Sequence, residues 1–191
     1  PDPDNRLALE RMVCDGDLEE LSDCFAGPLQ FGTAGLRGLL GPGPSRMNEV
    51  TVSRVAAGLA RQLLVDVPDA GTRGVVVARD ARTKSPEMAR AAAEVLAGHG
   101  VQVHWFDDPV PTPVAAFACR HLSAAAAVVV TASHNPPDYN GFKVFNETAA
   151  QIVSPQDARV RAEADGAACR GRVVSVLEGG YDCARGGGLA E

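Results

Sequence analysis

Thr131-Ala-Ser-His-Asn-Pro-Pro-Asp-Tyr-Asn-Gly-Phe-Lys143 follows directly on the apolar run Ala124-Ala-Ala-Ala-Val-Val-Val130, and the reading of the chain turns on this passage. A continuous apolar run of this length, rich in β-branched residues toward its end, suits a strand buried on both faces, over about 125–131. Such a strand presents a small hydroxyl, Ser133, at its carboxyl end, with polar His134 and Asn135 beside it. Pro136 and Pro137 stiffen the exit, and 141–145 reads as a returning strand that brings back Lys143. An exposed oxygen on a rigid support, donors around it and a cation nearby are what a phosphoryl carrier requires. The same residues also fit an ordinary loop whose Ser and Asn satisfy turn backbone groups. A serine hydrolase fits less well, since no GxSxG elbow occurs and His134, adjacent in sequence, is badly placed to act as base on Ser133.

Working outward, strands and helices alternate. Gly74–Ala78 is a short apolar strand and Val101–Phe106 another. Between them, Ser85-Pro86 has the order of a helix cap followed by Pro at the first helical position. Asn48 caps an earlier helix whose buried stripe is Val52, Val55, Ala56, Leu59 and Leu63. A short helix runs to Leu122 after the turn at Pro109, Pro111 and Pro113, and Ser154-Pro155 opens a last one. Residues 3–27 read as a peripheral helical lead-in, with Asp17-Leu-Glu-Glu20 as a capping box and Leu18, Leu21 and Phe25 on one face. The stretch Phe31–Pro44 reads as a Gly-rich loop. This alternation predicts an α/β domain with helices on both faces of the sheet. Ligands of such sheets gather beyond the strand carboxyl ends, in the loops after Ala78 and Val130.

Composition narrows the function classes. Net charge is −6 over 191 residues, with no basic stripe, which argues against a nucleic-acid surface. No apolar run reaches the ~18 residues that would span a bilayer, and neither end reads as a signal peptide. Residue 1 is Pro, so an upstream start is expected. The five cysteines (14, 24, 119, 169, 183) form no CxxC pair, which predicts reduced thiols and a cytoplasmic setting.

Three further segments accompany the serine loop in order: Phe31-Gly-Thr-Ala-Gly-Leu-Arg-Gly38, Arg79-Asp-Ala-Arg82 with Ser85, and Pro111-Thr-Pro113. Together with Thr131–Pro136 and Asp138–Lys143 they resemble the active-site loops of the α-D-phosphohexomutases, the phosphoglucomutase/phosphomannomutase superfamily. The form of the first segment is similar to the phosphopentomutase-like branch. The resemblance covers roughly residues 5–160. It implies a three-layer α/β/α domain with a mixed, mostly parallel sheet, at 31–165, behind the lead-in at 1–30.

The resemblance also implies the chemistry. Ser133 would be the phosphorylated residue of a phosphosugar mutase, moving phosphate between C1 and C6 or C5 of a sugar through a bisphosphate intermediate. Lys143 and Arg37 would assist proton transfer and stabilise charge, with His134 as a further catalytic residue. Thr33, Gly35, Asn135 and Arg82 would contact substrate, although an Asp80–Arg82 pair that braces the loop is the alternative for the last. Gly32, Gly35 and Gly38 would allow close backbone approach. A Ser133 phosphate oxygen would ligate Mg²⁺, whose other ligands in the family come from a DGDxDR loop of a second domain. That loop is not found here: Asp15-Gly-Asp17 lacks its third Asp and its Arg, and reads as helix capping. The expected partners are a phosphosugar, a sugar bisphosphate and the remaining mutase domains. A catalytically silent fragment, serving as an interaction piece, is the alternative. Residues 166–191 are set apart as a tail, either the start of a second domain or an unrelated segment. Within it Gly171–Asp182 resembles a segment near the end of histone-deacetylase-like amidohydrolases.

Overall fold

The computed structural model describes residues 2–169, 181–182 and 188–189. Helices α1 (Pro3–Asp15) and α2 (Leu18–Phe25) lead into a hairpin, β1 (Phe31–Gly32) and β2 (Gly35–Leu39). Then follow α3 (Glu49–Asp66), α4 (Ala70–Arg73), β3 (Val75–Arg79), α5 (Ser85–Gly98), β4 (Val103–Trp105), α6 (Thr112–His121), β5 (Ala126–Val130), β6 (Tyr139–Asn146) and α7 (Gln156–Cys169). Two short strands, β7 (Tyr181–Asp182) and β8 (Gly188–Leu189), pair antiparallel.

Six strands form one sheet in the order β1-β2-β6-β5-β3-β4. β3 pairs in parallel with both β4 and β5, whereas β5–β6, β6–β2 and β2–β1 are antiparallel. The sheet is therefore mixed, with β2, β3, β4 and β5 pointing one way. The connection from β3 to β4 moves outward in the sheet, and that from β4 to β5 moves back across β3. Right-handed crossovers in opposite directions put their helices on opposite faces, so α5 covers one face and α6 the other. Alternate strand residues divide accordingly. Val75, Val77, Val128, Val130, Phe142 and Val144 pack with Val52, Leu59, Met88, Leu96 and Val160 from α3, α5 and α7. Val76, Ala78, Ala127, Val129 and Phe145 pack with Ala115 and Cys119 of α6. Every residue of β5 is buried, and each fully buried Val, Leu or Met stabilises the fold by about 1.5–3 kcal/mol. This is the three-layer α/β/α architecture that the sequence predicts.

Some local expectations change. The Gly-rich stretch after Phe31 is a hairpin that extends the sheet, since β2 pairs with β6 from Leu36↔Phe142 to Leu39↔Tyr139. Ser85 is not a helix cap. Lys84 occupies the cap position of α5, in the left-handed conformation (φ 61°) and without a capping bond. The Ser85 hydroxyl donates instead to Asp80 Oδ1 at 2.8 Å. Asp17 does cap α2, accepting from the Glu20 N–H at 3.1 Å, but Glu20 pairs with Arg46 at 3.0 Å rather than reaching back. Leu18 and Phe25 are exposed, and the buried residue of α2 is Cys24. Asn48 caps α3 as expected, accepting from the Thr51 N–H at 2.9 Å. Helix α7 continues beyond 165 to Cys169, and the deacetylase-like stretch lies almost wholly outside the described residues. Among the described residues no helix is long and apolar enough to cross a membrane.

Candidate active site

The carboxyl ends of β3 and β5 lie side by side, because Arg79 pairs with Val130. Beyond Val130 the chain turns back into β6, and this turn holds Ser133. Ser133 has φ 60°, the left-handed region, which costs a non-glycine residue on the order of 1 kcal/mol unless its surroundings enforce it. Its N–H donates to Thr131 Oγ1 at 2.9 Å, and the Asn135 N–H donates to the Ala132 carbonyl at 3.2 Å. The serine is half-buried and His134 is exposed.

Arg82, from the loop after β3, reaches across to this turn. Its Nη2 donates to the carbonyls of Ser133 (3.0 Å) and Asn135 (2.6 Å), and its Nη1 to those of Pro136 (2.7 Å) and Tyr139 (3.0 Å). Nε faces Asp80 Oδ2 at 3.3 Å. Four guanidinium N–H groups thus donate to carbonyls while Nε lies in an ion pair with Asp80, an arrangement that braces the turn. Asp80 Oδ1 in turn accepts from the Arg82 N–H (3.0 Å) and the Ser85 hydroxyl. Asn140, fully buried, donates to Ser85 Oγ (2.9 Å) and the Thr83 carbonyl (3.0 Å) while accepting from the Gly141 N–H.

The hairpin supplies the cation. Arg37 Nη1 donates to Asn135 Oδ1 at 2.8 Å and its Nε to the Ala34 carbonyl at 3.3 Å. Arg37 stands opposite Gly141, and Lys143, two residues further along β6, projects on the same face. Gly35 fits against this lysine: at φ 92°, a Cβ there would lie 2.9 Å from the Phe142 carbonyl oxygen and 3.1 Å from Lys143 Cγ. Gly32 has room for a side chain, so close approach applies to Gly35 and not to it. Thr33 is exposed, and its carbonyl accepts from Gln151 Nε2 at 2.9 Å. Burial pushes the Lys143 ammonium below the ordinary lysine range, nearby Arg37 pushes the same way, and Asp80 opposes them. Arg37 thus bonds the serine turn, and the partly desolvated Lys143 ammonium lies on the same face of the sheet.

The structure brings Ser133, Asn135, Arg82 and Arg37 into one hydrogen-bonded group, with Gly35 and Lys143 beside it. Thr33 and His134 stand at its rim without a tie to Ser133. Asn140, Thr131 and Gln151 were not singled out in the sequence. Asn140 carries a signal, since an Asn directly before the Gly of a strand start suits bonding to the backbone N–H that follows. For a metal the donors do not suffice. Among the described residues no group of three or more His, Cys, Asp or Glu is arranged to hold an ion, and Asp80 has both oxygens engaged. These residues do not fit a self-contained Mg²⁺ site, which needs about six oxygen donors.

Comparison with known proteins identifies the family. Residues 28–168 match the family described as phosphoglucomutase/phosphomannomutase, alpha/beta/alpha domain I. The human protein named phosphopentomutase is 41% identical over 156 residues, covering 78% of this chain and 26% of that protein. A Staphylococcus epidermidis phosphoglucomutase is 42% identical over 147 residues, covering 77% and 26%. A phosphoglucomutase/phosphomannomutase family protein from Burkholderia thailandensis superimposes with a TM-score of 0.62 at 32% identity, covering 72% of this chain and 30% of that one. The chain thus spans about a quarter of the length of these curated relatives. By the family match, the identities and the shared fold, it belongs to the phosphoglucomutase/phosphomannomutase family, of which it carries the α/β/α domain I.

Proposed function

We propose that this domain carries the phosphoserine of a phosphosugar mutase, with Ser133 as the carrier. The observation that supports it is the half-buried hydroxyl held at a left-handed turn at the end of β5, with Arg37 and Lys143 on the adjoining face. In one direction, the phosphoryl group leaves Ser133 Oγ for a hydroxyl of a sugar monophosphate. The P–Oγ bond breaks as the new P–O bond forms, and the proton of the sugar hydroxyl ends on Oγ. The resulting sugar bisphosphate then returns its other phosphoryl group to Ser133. Arg37 stabilises the charge on the transferring group through a planar pair of donors. Lys143, with its lowered pKa, is the group best tuned to relay the proton between hydroxyl and Oγ. His134 and Thr33, at the rim, contact the sugar, as does the free amide nitrogen of Asn135.

The substrate class rests on the relatives, which are named for pentose and glucose phosphates. A Mg²⁺ ion at the Ser133 phosphate would take its other ligands from outside these residues, supplied with the rest of the mutase in the cytoplasm. Intact-mass and peptide mass spectrometry of the chain isolated from cells tests the proposal. One added phosphate is expected on Ser133 and none in Ser133→Ala. Phosphate on Thr131, or unchanged phosphorylation in the variant, would overturn it.

A further inference from the structure

We infer that Arg82 is the positioning residue of the phosphoryl carrier: it sets the serine's backbone, and hence the direction of Oγ, without touching substrate. The inference rests on the reading of Ser133 given above. Of the 131–139 turn, four carbonyls, those of Ser133, Asn135, Pro136 and Tyr139, converge on one guanidinium at 2.6–3.0 Å. The turn therefore points its oxygens inward, toward Arg82. The Ser133, Asn135 and Tyr139 N–H groups bond within the turn itself, to Thr131 Oγ1 and to the carbonyls of Ala132 and Pro136. Ser133, at φ 60°, is held on both sides of its Cα: its N–H bonds Thr131 Oγ1 and its carbonyl bonds Arg82.

The guanidinium is itself fixed. Asp80 holds its Nε and its backbone N–H, and Ser85 and Asn140 hold Asp80 and the 83–85 backbone in turn. With its four terminal N–H groups donating to carbonyls and Nε facing Asp80, Arg82 has no terminal donor left for a sugar phosphate. A lysine could not replace it, because a point-like ammonium on a flexible stem cannot serve four oxygens in one plane. Arginine's role here is geometric: a planar fork holds an unfavourable turn that a nucleophile needs.

The test compares wild type with Arg82→Lys by two measurements, the first in the 191-residue chain and the second in a mutase of full length carrying this domain, with Mg²⁺ present. The first is NMR amide hydrogen exchange at Thr131, Ser133, Asn135, Tyr139 and Gly141, with the β3 and β5 amides as internal reference. Arg82→Lys should speed exchange in the turn about tenfold or more and leave the strands unchanged, as for a local opening. The second is Ser133 phosphorylation by glucose 1,6-bisphosphate, followed by intact mass over hours as a function of donor concentration. The maximal rate should fall about tenfold or more with the half-saturating concentration changed less than threefold, the signature of misorientation rather than lost binding.

A raised half-saturating concentration at an unchanged maximal rate would make Arg82 a substrate ligand and overturn the inference. Unchanged exchange in the turn would overturn it as well. Absence of phosphorylation in wild type would count against the function proposed for Ser133, while the exchange measurement would still judge Arg82. If Arg82→Lys loses protection in β3 and β5, Asp80→Asn decides. It leaves the four carbonyl bonds but frees the guanidinium from its anchor: faster exchange confined to the turn upholds the inference, and unchanged exchange overturns it.

Discussion

The turn after β5 and the hairpin β1–β2 reach the same patch, meeting where Arg37 bonds Asn135, yet they are held by different means. The turn is cross-tied to the loop after β3 by Arg82, which holds its carbonyls, and by Asn140 at its end, which bonds Thr83 and Ser85. The hairpin is held by its backbone pairing to β6 and by the missing side chain at Gly35, with one bond from Gln151 to its tip. A cross-tied turn fixes the backbone that carries Ser133. A hairpin seated through a glycine delivers a long side chain, Arg37, to the same turn. The contrast teaches that a short side chain and a long one are placed by different supports: Ser133 by ties to its own backbone, Arg37 by a seated strand from which it reaches Asn135.

The sharpest way to break this contrast is to remove the charges. In a mutase of full length carrying this domain, Arg37→Ala and Lys143→Ala should each lower turnover by about a hundredfold or more, as expected when a charge-stabilising or proton-transfer group is lost. Steady-state kinetics decides, and near-normal turnover in both would take them out of the chemistry. Next comes the seating of the hairpin. Gly35→Ala should cost about 2–3 kcal/mol in denaturant unfolding, from the combination of positive φ and a backbone oxygen at 2.9 Å. Gly32→Ala, with open space, should cost close to nothing.

The ties of the turn rank third. Asn140→Ala leaves the Gly141 N–H and the Ser85 hydroxyl short of a partner in a buried place, and should cost about 1–3 kcal/mol. A loss below a few tenths of a kcal/mol would show that the turn does not depend on this network.

The smallest effect concerns Lys143. Its pKa is lowered on folding, so the folded chain binds fewer protons than the unfolded one as pH rises through the folded value toward 10.5. The stability cost of its buried charge is therefore fully present at neutral pH and relieved on the way to that pH. Lys143→Met should raise the melting temperature at pH 7 by about 1–2 °C, and the gain should shrink as pH approaches 10.5. A gain constant with pH would mean that packing, not charge, is responsible.

Much of this was legible in the sequence for a physical reason: continuous apolar runs such as 124–130 and caps such as Asn48 and Asp17 depend on neighbours along the chain. Ser133, Asn135, Arg37 and Lys143 were legible because their segments resemble known loops. What escaped depends on residues far apart. Ser85 looks like a cap until Asp80 and Asn140 claim its hydroxyl. Gly35 looks like loop glycine until β6 is laid against it. Arg82 could be read as ligand or brace, and only the four converging carbonyls distinguish them. The capping-box Glu20 turned to Arg46, a partner 26 residues away.

The bonds from Arg82 to the turn join residues 51 to 57 positions apart. A ribosome releases the chain from its N-terminus, so the guanidinium emerges long before the oxygens it will hold. Two crossovers, through α5 and α6, must be made before β5 can lie beside β3, and β6 must then return before the Tyr139 carbonyl is in reach. Contacts of such separation form late, because the intervening loop must be closed first. During synthesis Ser133 is thus an ordinary serine on an unformed turn, chemically present but without its direction. Its distinctive geometry begins only when the sheet has been assembled on both sides of it, so that the orientation of this one residue and completion of the fold arrive together.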